Sequence, residues 1–389
     1  MFESIYVGLT GLATFSRNLT VIGNNVTNIN TPGFKASNLL FSDLDYRDQV
    51  GAGVGDVGTR VLFSQGQLRQ TGNPTDVAIN GSGFFILRDG TKTTYTRAGD
   101  FQFGSDGILT SRETGARVAA LSGGALEDVS IADAHAIPGR ATSIVHFAGN
   151  LSSGGTSADV SVTAFDPAGA SHALKIAFTN NSTVTPRSWL FKVSDETGTV
   201  IDSGEVRFNG DGSIATGFES HTFTFSPAGA ASTQVALDFG QAGGFAGVTN
   251  FSAGTDSTAR AKSQDGFAAG GLTNATFNSD GVLVLTYSNG QTRMGAQLAL
   301  AFYEATDKLT QAGGGAFENG AGLTPTIGGA NSAMFGSITA GSLESANVDL
   351  AQAFSDLIIT QRGYQASSQV ISTANDMIQQ LFDIRSKQA

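Results

Sequence analysis

Residues 341–389 read GSLESANVDLAQAFSDLIITQRGYQASSQVISTANDMIQQLFDIRSKQA, and this stretch decides the fold. Leu343, Leu350, Leu357, Tyr364, Ile371 and Ile378 recur every seven residues, with Ala346, Ala353, Ala374 and Leu381 on a neighbouring line. A seven-residue apolar repeat of this length predicts one long helix with a coiled-coil seam. No proline interrupts it, and Gly363 is the only glycine after Gly341. The spacing therefore predicts a helix from Gly341 to the end, roughly 60–70 Å long. Ile358, Ile359, Val370, Met377 and Phe382 lie off that seam. A helix that is apolar on more than one side needs several neighbours, so these five are candidate contacts between subunits.

The other end of the chain carries a matching segment. Ile5, Leu12, Leu19 and Val26 are seven apart, with Phe2, Leu9, Ser16 and Gly23 interleaved. Glu3 and Arg17 are its only charged side chains through residue 29. A two-stranded coil in water sets Glu and Lys beside its seam; here Asn, Thr, Ser and Gly stand there. The two segments are expected to pack together, in a bundle with other copies. The expected assembly seam is thus Ile5, Leu12, Leu19 and Val26 against Leu343, Leu350, Leu357, Tyr364, Ile371 and Ile378.

Between the helices the texture is that of short strands. Pro32 and Gly33 stop the first helix, and 36–60 reads as an irregular connector. From 72 to 137, short apolar runs alternate with turn clusters such as Asn80-Gly81-Ser82-Gly83 and Ser105-Asp106-Gly107, the mark of an antiparallel sheet, sandwich or barrel. Beyond Pro138 the strands become richer in Ser, Thr, Ala and Gly, and 146–284 holds twelve acidic against six basic side chains. The order helix, sheet, β domain, sheet, helix implies an α+β multidomain chain with nested parts. Residues 1–30 and 342–389 form the terminal helical assembly domain, and 31–71 and 304–341 the connector. Residues 72–145 and 282–303 form the middle β domain, and 146–281 an inserted outer β domain.

Composition excludes several classes. A net charge of −11 and a pI near 4.7 argue against nucleic acid and anionic membrane surfaces. No run of apolar residues is long enough to insert in a membrane. The N-terminus lacks the pattern of a cleaved secretory signal, and the absence of cysteine suits an exported protein built without disulfides. The four histidines, His135, His146, His172 and His221, show no metal-ligand spacing. No nucleophile elbow or phosphate loop is present. Asn209-Gly210-Asp211-Gly212-Ser213 resembles half a calcium loop, but its twelfth position is Ser220 and Glu219 is out of step; a hairpin turn accounts for it. The pairs Asp195-Glu196 and Asp43/Asp45 are those of any acidic surface, and Trp189 reads as a core aromatic rather than a sugar platform. No catalytic residue, cofactor or metal is expected, and the chain is not expected to be an enzyme.

Several motifs taken together resemble one family. Asn24-Asn25-Val26-Thr27-Asn28-Ile29-Asn30-Thr31-Pro32-Gly33-Phe34-Lys35 is similar to the N-terminal signature of the flagellar rod and hook axial proteins. Gln65-Gly66-Gln67-Leu68, the run from Thr71 to Phe85 and Tyr95-Thr96-Arg97-Ala98-Gly99-Asp100-Phe101 resemble the opening of their middle domain. The run Gly341 to Leu350 and Gln361-Arg362-Gly363-Tyr364 resemble their C-terminal signature. Asn25, Asn28, Gly33, Phe34, Lys35, Glu344, Asn347, Val348, Gln361 and Arg362 are the motif residues carried over. Length and the inserted acidic domain resemble the hook members. The resemblance implies a structural subunit that self-assembles into the tubular hook, the universal joint passing motor torque to the filament. It also implies export through the flagellar type III apparatus without a cleaved signal and an extracellular place in the flagellum. The implied partners are further copies in a helical homopolymer, the distal rod protein, the hook cap, the hook–filament junction protein and the export gate. A distal rod component is the nearest alternative; a secreted β-rich adhesin or carbohydrate-binding protein is one of another class.

Overall fold

The computed structural model describes residues 2–44, 53–320, 322–332 and 334–386. Asp45, residue 1 and residues 387–389, which fall within the expectations above, lie outside them. The chain divides into two compact units, one of 1–133, 274–285 and 293–389, the other of 134–273 and 286–292. The two terminal helices and most of the strands between 53 and 133 thus share the first unit. The second unit gathers 134–273 together with 286–292.

In the first unit, α1 (Phe2–Thr27) and α2 (Leu350–Ser386) lie side by side. The expected start of α2 at Gly341 is corrected. Gly341 turns with φ +65°, and Ser342–Glu344 form a strand paired antiparallel with Leu68–Gln70. Leu343 is therefore buried in a sheet and is not a seam residue. The helix starts where Asp349 caps it: Asp349 Oδ1 accepts from the N–H groups of Ala351 (2.9 Å) and Gln352 (3.1 Å). These are two of the donors a helix start leaves unpaired.

The described part of the connector forms regular strands, contrary to its irregular sequence. Ser37–Asp43 and Val54–Val61 form an antiparallel hairpin laid on α1. Thr14 Oγ1 donates to the Val54 carbonyl at 3.2 Å, and Arg17 pairs with Asp56 at 2.8 Å. The glycine-rich return, 304–341, likewise folds into short strands: Thr310–Gly313, Ala316–Glu318, Thr326–Gly329 and Ser337–Ala340. The first three close onto strands of the middle sheet or onto each other, and Ser337–Ala340 pairs antiparallel with Val77–Asn80. Glycine-rich segments carry little pattern, so only their pairing partners reveal them as strands. The sheet core gathers Phe84, Ile86, Tyr95, Ala299, Tyr303 and Phe317. Phe63, Phe84 and Phe317 meet edge-on or tilted at 5.1–6.0 Å, as aromatic quadrupoles prefer.

Beside this core Asp100 is poorly accommodated. Its Oδ1 is buried without a hydrogen-bond partner. Burial raises its carboxyl above the ordinary value; Asp76 adds to this, while its own backbone N–H and Arg112 oppose it. A raised carboxyl favours folding below the unfolded value near 3.8, and that benefit is lost as pH rises through the folded value. Asp100→Asn is therefore expected to stabilise the protein at pH 7. The gain should vanish below about pH 4, where both side chains are neutral; denaturant midpoints at the two pH values measure it.

The second unit is a two-layer sandwich. Ser157–Phe165, Ser171–Asn180, Ser188–Ser194 and Val200–Arg207 form an antiparallel meander. Ile144–Asn150 centres the other sheet, parallel to Thr233–Asp238 and Val248–Thr249 and antiparallel to Arg260–Gln264. Alternate residues of Ser157–Phe165 are buried and exposed, the period of a strand with one wet face. Inward residues of both sheets share one core around Trp189, Phe178, Phe191 and Phe239. Trp189 is wholly buried, so it offers no sugar platform. Asn209–Ser213 is a turn: Gly212 N–H donates to the Asn209 carbonyl, and Asp211 Oδ1 accepts from Ser213 N–H and Oγ. Among the described residues no carboxylate or histidine cluster is arranged to hold a metal, and no helix is long and apolar enough to cross a membrane.

Candidate assembly surface

The two helices run antiparallel, and their register is set by small residues. Asn18 Nδ2 donates to Thr360 Oγ1 at 2.8 Å. A Cβ on Gly363 would lie 2.6 Å from the Phe15 ring, and one on Gly8 2.7 Å from Ile371 Cγ1. Gly8 and Gly11 on α1 and Thr360 on α2 are buried where the two helices meet. The expected seam is thereby corrected. Ile5, Leu12, Leu19 and Val26 are only half-buried, as are Leu357, Ile371 and Ile378, while Leu350 and Tyr364 are exposed. Helix axes approach as closely as the intervening side chains permit, so the small-residue line goes inside and the large apolar side chains flank it.

Large apolar residues are consequently left facing solvent. On α1 these include Tyr6 (50% exposed) and Leu9 (56%). On α2, Ile358 (57%), Ile359 (68%) and Phe382 (66%) are exposed, with Val370 and Met377. All five residues set aside as subunit contacts thus lie on the outer surface of the helix pair. Apolar side chains recurring along both helices form the kind of surface that marks an interaction site.

Below the helices the motif residues meet in a buried knot. Glu344, Lys35 and Arg97 are almost wholly excluded from solvent. Lys35 Nζ donates to Glu344 Oε1 (2.6 Å) and to the Ser64 carbonyl (2.8 Å). Gly66 N–H donates to the same carboxylate oxygen at 2.8 Å, and Arg97 Nη1 to Oε2 at 3.3 Å. Arg97 Nη2 donates to the Gly81 carbonyl at 2.8 Å, and its guanidinium lies 5.3 Å from the centre of the Phe84 ring. Burial pushes both cations below their ordinary values, and attraction to Glu344 opposes it. Two cations therefore share one anion in a dry site.

Other motif residues tie the neighbouring segments. Asn25 and Ser37 exchange two hydrogen bonds of 2.8 and 2.9 Å. Asn347 accepts from Ala36 N–H at 2.7 Å and donates to the Leu62 carbonyl at 2.7 Å. Gly33 N–H donates to the Glu344 carbonyl, and Asn347 N–H to that of Phe34. Asn28 braces the end of α1 through Asn24 and Thr31, Val348 is half-buried, and Gln361 and Arg362 are exposed on α2, outside the knot. Sequence reading missed Arg97 as the second cation. The signal in the sequence was a basic residue inside the motif run Tyr95–Phe101. The knot joins the segment after α1, the loop at 64–66, Arg97 and the approach to α2, which lie in or beside different sheets, and so fixes where the helix pair begins.

Four families match successive parts of the chain. They are described as Flagella basal body rod protein (5–35), Flagellar hook protein FlgE/F/G D1 domain (78–148), Flagellar basal body protein FlaE D2 domain (150–267) and Flagellar basal body rod FlgEFG protein C-terminal (339–384). The flagellar hook protein FlgE of Treponema pallidum is 30% identical over 99% of this chain and its own full length. That of Escherichia coli is 28% identical over 97% of this chain and 98% of its own. The crystal structure of Helicobacter pylori flagellar hook protein FlgE2 shares the fold with a TM-score of 0.51. It is 13% identical and covers 71% of this chain and all of that one. With terminal helices paired, a β-rich middle and relatives matched over nearly their whole length, the chain belongs to the flagellar hook protein FlgE family.

Proposed function

We propose that this protein is a structural subunit of the bacterial flagellar hook, lying outside the cell and polymerising with copies of itself. The observation that carries this is the row of exposed apolar side chains on the outer faces of α1 and α2. A stable monomer has no use for such a row. Helical assembly covers it without a closed symmetry. The finer reading follows from the family. The helix pair forms the inner layer of the tube, and the tube passes torque from rod to filament. Chains arrive through the flagellar type III apparatus, and the ends of the tube meet the distal rod protein, the hook cap and the hook–filament junction protein. The role is mechanical rather than enzymatic. Full-length relatives carry the hook name, which favours the hook over a distal rod component. The burial of Trp189 gives no support to a carbohydrate-binding role.

Ile358→Glu combined with Val370→Glu places two carboxylates on that surface. Each should oppose burial by several kcal/mol in an apolar contact. Tube formation, scored by electron microscopy, should fall to background while far-UV circular dichroism of the monomer stays unchanged. Normal tubes from the double variant would sink the reading.

A further inference from the structure

The second unit carries an open cavity that lies outside the helical assembly surface. It holds about 440 Å³ and forms where the loop 181–187, the turn 209–213 and the segment 250–252 converge. That volume is within the ordinary range of small-molecule sites. One lining residue is an acceptor in need of a donor. Asn250 is only 3% exposed. Its Nδ2 donates to the Leu151 carbonyl at 2.7 Å, but its Oδ1 is buried with no hydrogen-bond partner among the described residues. Buried polar groups are nearly always satisfied, so a donor from outside the chain fits there.

An aromatic ring and a polar rim complete the lining. Phe251 is exposed there, and Phe245 stacks on it at 5.9 Å with the ring planes 21° apart. Gly212 lets the Phe251 ring sit close: its φ is +85°, and a Cβ there would fall 2.9 Å from two ring carbons. Trp189 is sealed in the core, so Phe251 is the ring a ligand can reach. Ser153, Ser182 and Ser252 add three hydroxyls. Asp211 Oδ1 takes both bonds from Ser213, which hold the carboxyl below its ordinary value, and Oδ2 is left for a ligand hydroxyl. Arg187 Nη1 donates to the Asn209 carbonyl at 3.3 Å, and its other N–H groups are further donors. Arg187 also holds a φ of +56°, a strained value for a residue other than glycine. Such strain is kept where a side chain must be held in place.

This set matches a ligand dense in hydroxyls with one apolar face. A pyranose ring has both: C–H groups that lie flat on an aromatic ring, and hydroxyls that pair with a carboxylate, an amide and a guanidinium. The Asp211 carboxylate disfavours a phosphate or another anion. We propose that the cavity binds a neutral saccharide unit, stacked on Phe251, with its hydroxyls held by Asp211, Arg187 and Asn250. The site is complete within one copy, so it adds to the mechanical role and does not depend on polymerisation.

The test uses the full-length chain, with the methyl glycosides of glucose, galactose, mannose and N-acetylglucosamine as probes. Saturation-transfer difference NMR should show transfer to at least one of them, strongest at the ring C–H protons. Phe251→Ala should weaken that glycoside at least about tenfold in titration. Asp211→Asn, which keeps Oδ1 for Ser213, should do the same. Far-UV circular dichroism and tube formation should stay unchanged in both variants. No transfer to any of the four glycosides would overturn the proposal. So would transfer that survives both substitutions, since the sugar would then sit elsewhere. A rise in the critical concentration for polymerisation caused by Phe251→Ala would overturn it as well, because the cavity would then belong to a contact between copies. Each of these outcomes leaves the hook reading standing.

Discussion

Glu344→Gln is expected to destabilise the first unit by about 3–5 kcal/mol, because it leaves Lys35 and Arg97 buried without their counter-ion. The change keeps the shape of the side chain and an acceptor for Gly66 N–H. What it removes is the charge. For a unit of this size that corresponds to a fall of roughly 6–20 °C in its melting temperature. Lys35→Met should cost less. It leaves one cation and one anion in the site, still paired through Arg97 and Glu344 at 3.3 Å. The ordering of the two variants is the sharper test, since two cations share one carboxylate in the native protein. A Lys35→Met variant that melts lower than Glu344→Gln would mean that packing around Lys35, and not charge balance, governs the knot.

Gly33→Ala should cost roughly 2–5 kcal/mol by a different route. Gly33 has φ +67°, a conformation L side chains rarely adopt. A Cβ there would also lie 2.3 Å from Ala98 N and 2.5 Å from the Arg97 carbonyl carbon. Those atoms are backbone and cannot turn aside, so relief requires moving the segment that aims Arg97 at Glu344. Gly90 is the control: its φ is +59°, but an added Cβ would meet nothing within 4 Å. Gly90→Ala should cost only about 1–2 kcal/mol. Equal losses in denaturant melts of the two variants would show that backbone strain alone is at work.

The terminal motifs were legible through their resemblance to the family. Lys35 directly after Pro32-Gly33-Phe34 and Glu344 within Gly341-Ser342-Leu343-Glu344 belong to those motifs. Both prove to be buried partners of one another. Their pairing across 309 positions of sequence could not be read, nor could Arg97's part in it. Distant segments reveal their partners only when folded. The hairpin Ser37–Asp43 with Val54–Val61 was hidden for a related reason. Its exposed face alternates poorly, and it is held by α1 and by Asn25 rather than by its own pattern.

By itself the sequence determined that both ends are helical, that the middle is a β structure with an inserted domain, and which motifs mark the family. Periodicity, turn residues and charge placement are local, and each acts within a few residues. The tertiary structure alone decided where α2 begins and which face of each helix turns inward. The heptad extends back to Leu343, yet Leu343 is drawn into a strand by Arg69, and Asp349 starts the helix instead. The large apolar line looked like the inner seam. Gly8, Gly11, Thr360 and Gly363 took that place because only small side chains let the two axes approach. The apolar residues were thereby left on the outside, where copies of the chain can meet.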